Sequence, residues 1–231
     1  MIHCLRNSKQ AFVRSCRMVR ITLIGYLFSG LIIGCQPHYS PIVLHTDQGD
    51  IQLQLFAGAG RHAANFEKLV RDKYYDGLLI HRVVQDFCIQ TGDPDSRVAK
   101  PGMHLGNGDP GYSLPCEIKA LPLRGALAAV RQAGDNSPDK RSNGAQFYII
   151  QGRPQTEATL DAWEKKLQIQ FSTEERRLYI AQGGAPQLQE QCTVFGQVLN
   201  GMEVVDKIAA LPRDANERPL QDVHIWLETK Q

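Results

Sequence analysis

Ile80–Asp93 reads IHRVVQDFCIQTGD. Strand residues alternate between faces, so Arg82 and Val84 share one side, as do Cys88 and Gln90, with a turn near Gln85–Asp86 between them. The pattern predicts two short strands and sets one guanidinium, Arg82, among apolar and aromatic neighbours. Such a charge is costly to desolvate unless something hydrogen-bonds it. A surface strand whose arginine snorkels into water is the plain alternative, and the rest of the chain decides between the two.

Outward from this stretch, Ile42–Leu44 and Ile51–Leu55 read as strands joined by a turn at Asp47-Gln48-Gly49-Asp50, a hairpin pattern. Phe66, Leu69 and Val70 within 62–72 have helical spacing, and Tyr75-Asp76-Gly77 ends that unit. The stretch 91–112 holds many glycines but no phosphate-loop pattern, so it reads as a loop of tight turns. Ala126–Val130 and Gln146–Ile150 read as strands flanking the polar loop 132–144. Thr193–Val198 and Val223–Leu227 are the last strands, with a helix over Met202–Ala210 whose apolar face is Val205, Ile208 and Ala209. Many short strands with two scaffold helices predict an antiparallel barrel. Between them, 153–182 reads as a charged helical hairpin. Leu160, Trp163 and Leu167 mark one helix over 158–169, and Ser172-Thr-Glu-Glu175 is a capping box opening a second.

IHRVVQDFCIQTGD resembles the signature of cyclophilins, the cyclosporin-type peptidyl-prolyl isomerases, usually F-H-R-V-x-x-x-F-M-x-Q-G-G-D. The likeness continues, in the family's order, through RGALAAVR (Arg124–Arg131), SNGAQFYII (Ser142–Ile150) and TVFGQVLNGMEVVDKIA (Thr193–Ala209). It covers about 41–229, interrupted by the hairpin as an insertion at about 153–185. It implies a mainly β fold, a closed eight-stranded antiparallel barrel capped by two helices, with an outer peptide groove. Arg82 is then the catalytic arginine and Gln90 its polar partner in the catalytic pair. Phe87, Cys88, Tyr148, Leu188 and Cys192 match the apolar proline pocket, Val130 and Arg131 the strand that pairs with substrate backbone, and Gln146 another groove residue. His81 is expected to be a packed, hydrogen-bonded structural residue. No cofactor or metal is required. Cys88 stands where the family usually has Met, Cys192 where it has His or an aromatic, and Gln187 where many members carry a Trp linked to cyclosporin binding. These departures predict a widened pocket, an altered proline-peptide preference and weak cyclosporin binding.

The formal charge of +2 hides an asymmetry. Residues 1–34 carry five basic side chains and no acidic one, which leaves 21 basic against 24 acidic in the remainder. No basic run supports nucleic-acid binding. Arg14, Arg17 and Arg20 precede a 14-residue apolar run, Ile21–Gly34, shorter than the ~20 residues of a spanning helix. It reads as a signal-peptide core. Ile32-Ile-Gly-Cys35 resembles a bacterial lipobox, which implies 1–34 as signal, a lipid on Cys35, a tether over 35–40 and a domain over 41–231, facing the periplasm from a bacterial cell envelope. An ordinary signal peptide or uncleaved anchor is the alternative, and Met18 is an alternative start. Processing leaves Cys88, Cys116 and Cys192, an odd set that implies no disulfide framework. A Cys88–Cys192 redox bridge and two thiols that never meet are both open readings. The expected partners are proline-containing polypeptides, unfolded or extended, and a membrane through the lipid; a monomer is expected. The leading function is a prolyl isomerase assisting folding outside the cytoplasm. The alternatives are a weakly active or inactive peptide-binding module on the same fold and, last, a thiol-redox protein, which lacks a C-x-x-C pair.

Overall fold

The computed structural model describes residues 39–117, 120–132, 134 and 138–230. The expected signal segment 1–34, the lipid-bearing Cys35 and most of the 35–40 tether lie outside the described residues.

Alternation sets the first hairpin. In β1 (Ile42–Thr46) and β2 (Gly49–Leu55), Ile42, Leu44, Ile51, Leu53 and Leu55 point inward while their neighbours face out. Thr46 fastens the turn: its hydroxyl donates to the Gly49 carbonyl at 2.7 Å and accepts from the Gln48 N–H at 3.0 Å. The remaining strands are β3 (Leu78–Leu79), β4 (Arg82–Val84), β5 (Cys88–Thr91), β6 (Ser113–Leu114), β7 (Ala126–Arg131), β8 (Ser142–Ile150), β9 (Val194–Asn200) and β10 (His224–Thr229). They form one antiparallel half-barrel in the order β3-β10-β1-β2-β9-β7-β8-β5-β4, with β6 paired to β8. Among the described residues the expected eight strands thus become ten, because β3 and β6 are two-residue strands, too short to show a period. The ends of the path are β3 and β4, and no ladder joins them among the described residues. They are consecutive in the chain, linked by Ile80 and His81, so the backbone itself passes from one edge to the other.

Two helices cover the sheet. α1 (Gly60–Arg71) buries Ala63, Phe66, Leu69 and Val70. Its first turn has no side-chain cap of its own; the Glu117 carboxylate accepts the Arg61 and His62 N–H groups at 3.0 and 3.3 Å instead. Phe66, Tyr75, Phe147 and Phe195 meet at centroid distances of 5.1–6.5 Å in the centre of the core. A shorter helix, Met202–Ala209, buries Val205, Ile208 and Ala209 as its period predicts.

The hairpin helices form where the sequence places them: α2 (Glu157–Leu167) and α3 (Thr173–Gln182), making the Met202–Ala209 helix α4. The Ser172 capping box is present, with Glu175 N–H donating to the Ser172 hydroxyl at 3.3 Å and Ser172 N–H to the Glu175 carboxylate at 2.7 Å. Arg176 holds the two helices together by pairing with Glu157, with Asp161 at 2.6 Å and with Glu164 at 3.2 Å. Leu160, Phe171 and Tyr179 make a small core of their own. The hairpin also makes buried contacts beyond its own two helices. Tyr179 is fully buried and its hydroxyl donates to Gln189 Oε1 at 2.9 Å, while Gln189 Nε2 donates to Glu175 at 2.8 Å. Gly184 then passes so close to the barrel that a Cβ there would lie 2.6 Å from the Pro122 carbonyl.

Candidate active site

The β4–β5 hairpin opposes Arg82 to Gln90 and Val84 to Cys88. Gln90 in turn opposes Tyr148 on β8, and Tyr148 opposes Ala128 on β7. Directly opposed residues project to one side, so Arg82, Gln90, Tyr148 and Ala128 form a row across four strands. Gln146, two positions before Tyr148, shares that face.

A directional hydrogen-bond array runs along this face. Gln146 Nε2 donates to the Gly108 and Gly106 carbonyls at 2.6 and 3.1 Å, which leaves its Oε1 to accept from Gln90 Nε2 at 2.9 Å. Gln90 Oε1 then accepts from Arg82 Nη1 at 3.4 Å. The glycine loop that starts the array is held by fully buried Asp93, the last residue of the quoted stretch, which accepts the Gly106 and Gly108 N–H groups at 2.5 and 3.4 Å. At the other end, Arg82 Nε donates to Glu217 Oε2 at 2.6 Å.

The apolar side lies next to it. The Arg82 guanidinium carbon is 5.9 Å from the centre of the Phe87 ring, and Phe87 meets Tyr148 at 6.0 Å and 42°. Phe87, Tyr148 and Leu188 pack on a cluster that includes Cys88, Cys192, Ala126, Ala128 and Val194. Leu188 comes from the 3-10 turn Pro186–Leu188, and the Cys192 thiol donates to its carbonyl at 3.6 Å. Val130 is nearly buried at the far end of β7, and Arg131 Nη1 donates to Gln191 Oε1 at 3.3 Å, one residue from Cys192.

The structure therefore brings Arg82, Phe87, Gln90, Gln146 and Tyr148 into one connected group, and Cys88, Leu188 and Cys192 into the apolar cluster beside it. Cys88 has no exposed surface, so it shapes the cluster from within. Two residues of this neighbourhood, Glu217 and Gln189, were not foreseen. Both lie in turn-rich segments where no period or motif distinguishes one polar residue from the next.

A profile of the family described as cyclophilin type peptidyl-prolyl cis-trans isomerase/CLD matches residues 42–228. The chain belongs to the cyclophilin-type peptidyl-prolyl isomerases. A putative peptidyl-prolyl cis-trans isomerase of Staphylococcus haemolyticus is 31% identical to this cyclophilin over 191 residues, 80% of this chain and 87% of the relative. One of Staphylococcus aureus is 32% identical over 191 residues, 80% of this chain and 88% of the relative. A Cryptosporidium parvum cyclophilin type isomerase, crystallised in the presence of the dipeptide Ala-Pro, shares the fold with a TM-score of 0.56 at 21% identity, covering 83% of this chain and 99% of that one.

The cyclophilin's two buried thiols are free, so the Cys88–Cys192 bridge is not formed. Burial pushes both thiols up to about 12, which keeps them protonated and unreactive at neutral pH. Iodoacetamide on the native protein is expected to label half-exposed Cys116 well before Cys88 or Cys192, with all three labelled after unfolding. Peptide mapping by mass spectrometry reads this; equal labelling of Cys88 in the native state contradicts it.

His81 corrects one expectation of the cyclophilin motif. It is packed, 3% exposed, but neither ring nitrogen has a hydrogen-bond partner of ordinary geometry among the described residues. Burial pulls its pKa down to about 4, against the opposing influence of Asp93. The unfolded chain, with His near 6.5, binds the proton first. Stability contributed by neutral His81 is therefore whole above about pH 6.5 and is lost as the pH falls toward 4, by about 3 kcal/mol in all. Urea unfolding across this range is expected to show the loss, with a shallower slope in His81→Leu; parallel slopes contradict it.

Proposed function

We propose that this cyclophilin accelerates rotation about X-Pro bonds by hydrogen bonding from Arg82 to the prolyl nitrogen over an apolar surface made by Phe87, Tyr148 and Leu188. Amide resonance opposes the rotation with a barrier of ~18–20 kcal/mol, and the unaided step takes ~10–100 s. As the bond twists, the nitrogen lone pair leaves conjugation and becomes a stronger acceptor. A donor aimed at that nitrogen stabilises the twisted state more than the planar one. Gln90 and Gln146 hold the donor's side of the groove and engage substrate backbone, with Val130 and Arg131 beside the chain. A rate gain of ~10⁵ asks for about 7 kcal/mol. One charge-assisted hydrogen bond supplies roughly 1.5–3 kcal/mol. The rest comes from an apolar surface that disfavours the more polar planar amide and from fixing the ring. The observation that carries the reading is the continuous array Gln146–Gln90–Arg82 lying against Phe87.

The same proposal takes Cys35 as a lipid-bearing residue and the barrel, with α2 and α3 as an insertion, as a folding assistant at a bacterial cell-envelope membrane. It keeps the widened pocket and weak cyclosporin binding that Cys88, Gln187 and Cys192 imply. Refolding of a client whose slow phase is limited by proline isomerisation tests the folding role: the purified protein is expected to shorten that phase in proportion to its concentration. An unchanged phase at equimolar protein would leave a peptide-binding module. Labelled-lipid incorporation is expected in the wild type and lost in Cys35→Ala; equal labelling of both would remove the anchor.

A further inference from the structure

Glu217 lies in the turn between α4 and β10, and three observations single it out. Its φ is +64°, a left-handed conformation where Gly, Asn or Asp is the ordinary occupant and a glutamate has no local reason to be. Its carbonyl accepts the Val83 N–H at 2.8 Å, which docks the turn on β4 one residue from Arg82. Its carboxylate Oε2 takes Arg82 Nε at 2.6 Å and lies 2.6 Å from Nη2 as well. The turn is independently anchored by Arg218, whose guanidinium donates to the Lys100 carbonyl at 2.9 Å and to Asp222 at 2.7 Å.

A guanidinium has five N–H donors. Glu217 occupies Nε and one hydrogen of Nη2, and Gln90 occupies one hydrogen of Nη1. Beyond these contacts, and with the buried Cys88 sulfur alongside, one hydrogen on each terminal nitrogen is left for a third partner. We propose that Glu217 is the positioning residue of Arg82: its carboxylate fixes one edge of the guanidinium so that the two remaining hydrogens are aimed before a proline chain arrives. The inference rests on the Arg82 mechanism proposed above. A long arginine has much rotamer freedom to lose, and holding it in the free enzyme removes that loss from the twisted state. The carboxylate also draws on the cation's charge. With side-chain exposures of 31% and 38%, that attraction is screened, and orientation is the larger contribution.

The test compares Glu217→Gln, Glu217→Gly and Arg82→Ala in the full chain, measuring kcat, KM and Tm with a proline peptide. Glu217→Gln is expected to lower kcat ~10-fold with KM within about 2-fold, since a neutral amide replaces a charge-assisted clamp roughly twice as strong. Glu217→Gly is expected to lower kcat at least as far while Tm holds or rises, because glycine suits a positive φ. The Arg82 Nε–H resonance, protected from exchange in the wild type, is expected to be lost in both. Wild-type kcat in both Glu217 variants, with Arg82→Ala impaired, overturns the positioning role and leaves that of Arg82 standing. A wild-type rate in Arg82→Ala overturns both. A kcat loss in Glu217→Gly that comes with a matching fall in Tm also overturns the inference, since a structural role would then explain it.

Discussion

Arg82→Ala is expected to lower kcat/KM for a proline peptide by ~10²–10³ while leaving the fold intact, the loss typical of a removed transition-state donor. Arg82 sits on a three-residue strand at the end of the sheet path, and its ladder with Gln90 is made by backbone atoms that alanine keeps. The side chain is about one-third exposed, and the Glu217 carboxylate it leaves behind is exposed enough for water to replace the guanidinium. The rate effect is therefore large and the stability effect small. Arg82→Lys separates charge from shape. A lysine is a compact point charge without the planar fork, and it cannot reproduce the contacts to Glu217 and Gln90 together with the proposed one to a prolyl nitrogen. Its rate is expected to lie nearer to alanine than to arginine. Direct observation of cis-to-trans isomerisation of a short peptide at low temperature reads both variants, with circular dichroism as the check on folding.

The second large effect is on stability. Phe147→Ala is expected to cost about 3–5 kcal/mol, the range for deleting a buried aromatic ring. Phe147 is 1% exposed and meets Phe66, Tyr75 and Phe195 in edge-on contacts at 5.1, 5.6 and 6.5 Å. Three of the four rings belong to different elements, α1, β8 and β9, so the void cannot be closed by moving one side chain. Phe147 lies between Gln146 and Tyr148 on β8 and points to the opposite face, so the molecules that remain folded are expected to keep most of their activity. Urea unfolding measures the cost. Leu220→Ala, at a residue 71% exposed, is the control and is expected to stay within about 0.5 kcal/mol. A Phe147→Ala loss no greater than the control would contradict the packing argument.

Much of the site was legible because its elements carry strong local signals. Alternation and the Gln85–Asp86 turn place Arg82, Val84, Cys88 and Gln90 on one side, and the register bears this out. Ser172-Thr-Glu-Glu175 opens a helix because a short hydroxyl and a glutamate three positions apart can satisfy each other's backbone donors. The equivalent box at Thr156 passed unseen because Thr159, not a Glu or Gln, closes it. Strands β3 and β6 exist only through their long-range partners on β10 and β8, so no local pattern announces them. Glu217 reaches Arg82 across 135 positions of sequence, and Gln189 joins α3 to the pocket wall through a tertiary contact. His81 failed in the other direction. Its type predicts a hydrogen-bonded core residue, and only the assembled surroundings reveal that neither ring nitrogen finds a partner of ordinary geometry among the described residues.

The central claim is that Arg82 stabilises the twisted bond and does little to hold the planar peptide. Exchange NMR on an Ala-Pro-containing peptide at equilibrium measures both quantities in one sample, the dissociation constant and the on-enzyme cis–trans exchange rate. The account predicts that Arg82→Ala slows the exchange by ~10²–10³ while the dissociation constant changes by less than about 3-fold. An exchange rate near wild type together with a large loss of affinity would contradict it.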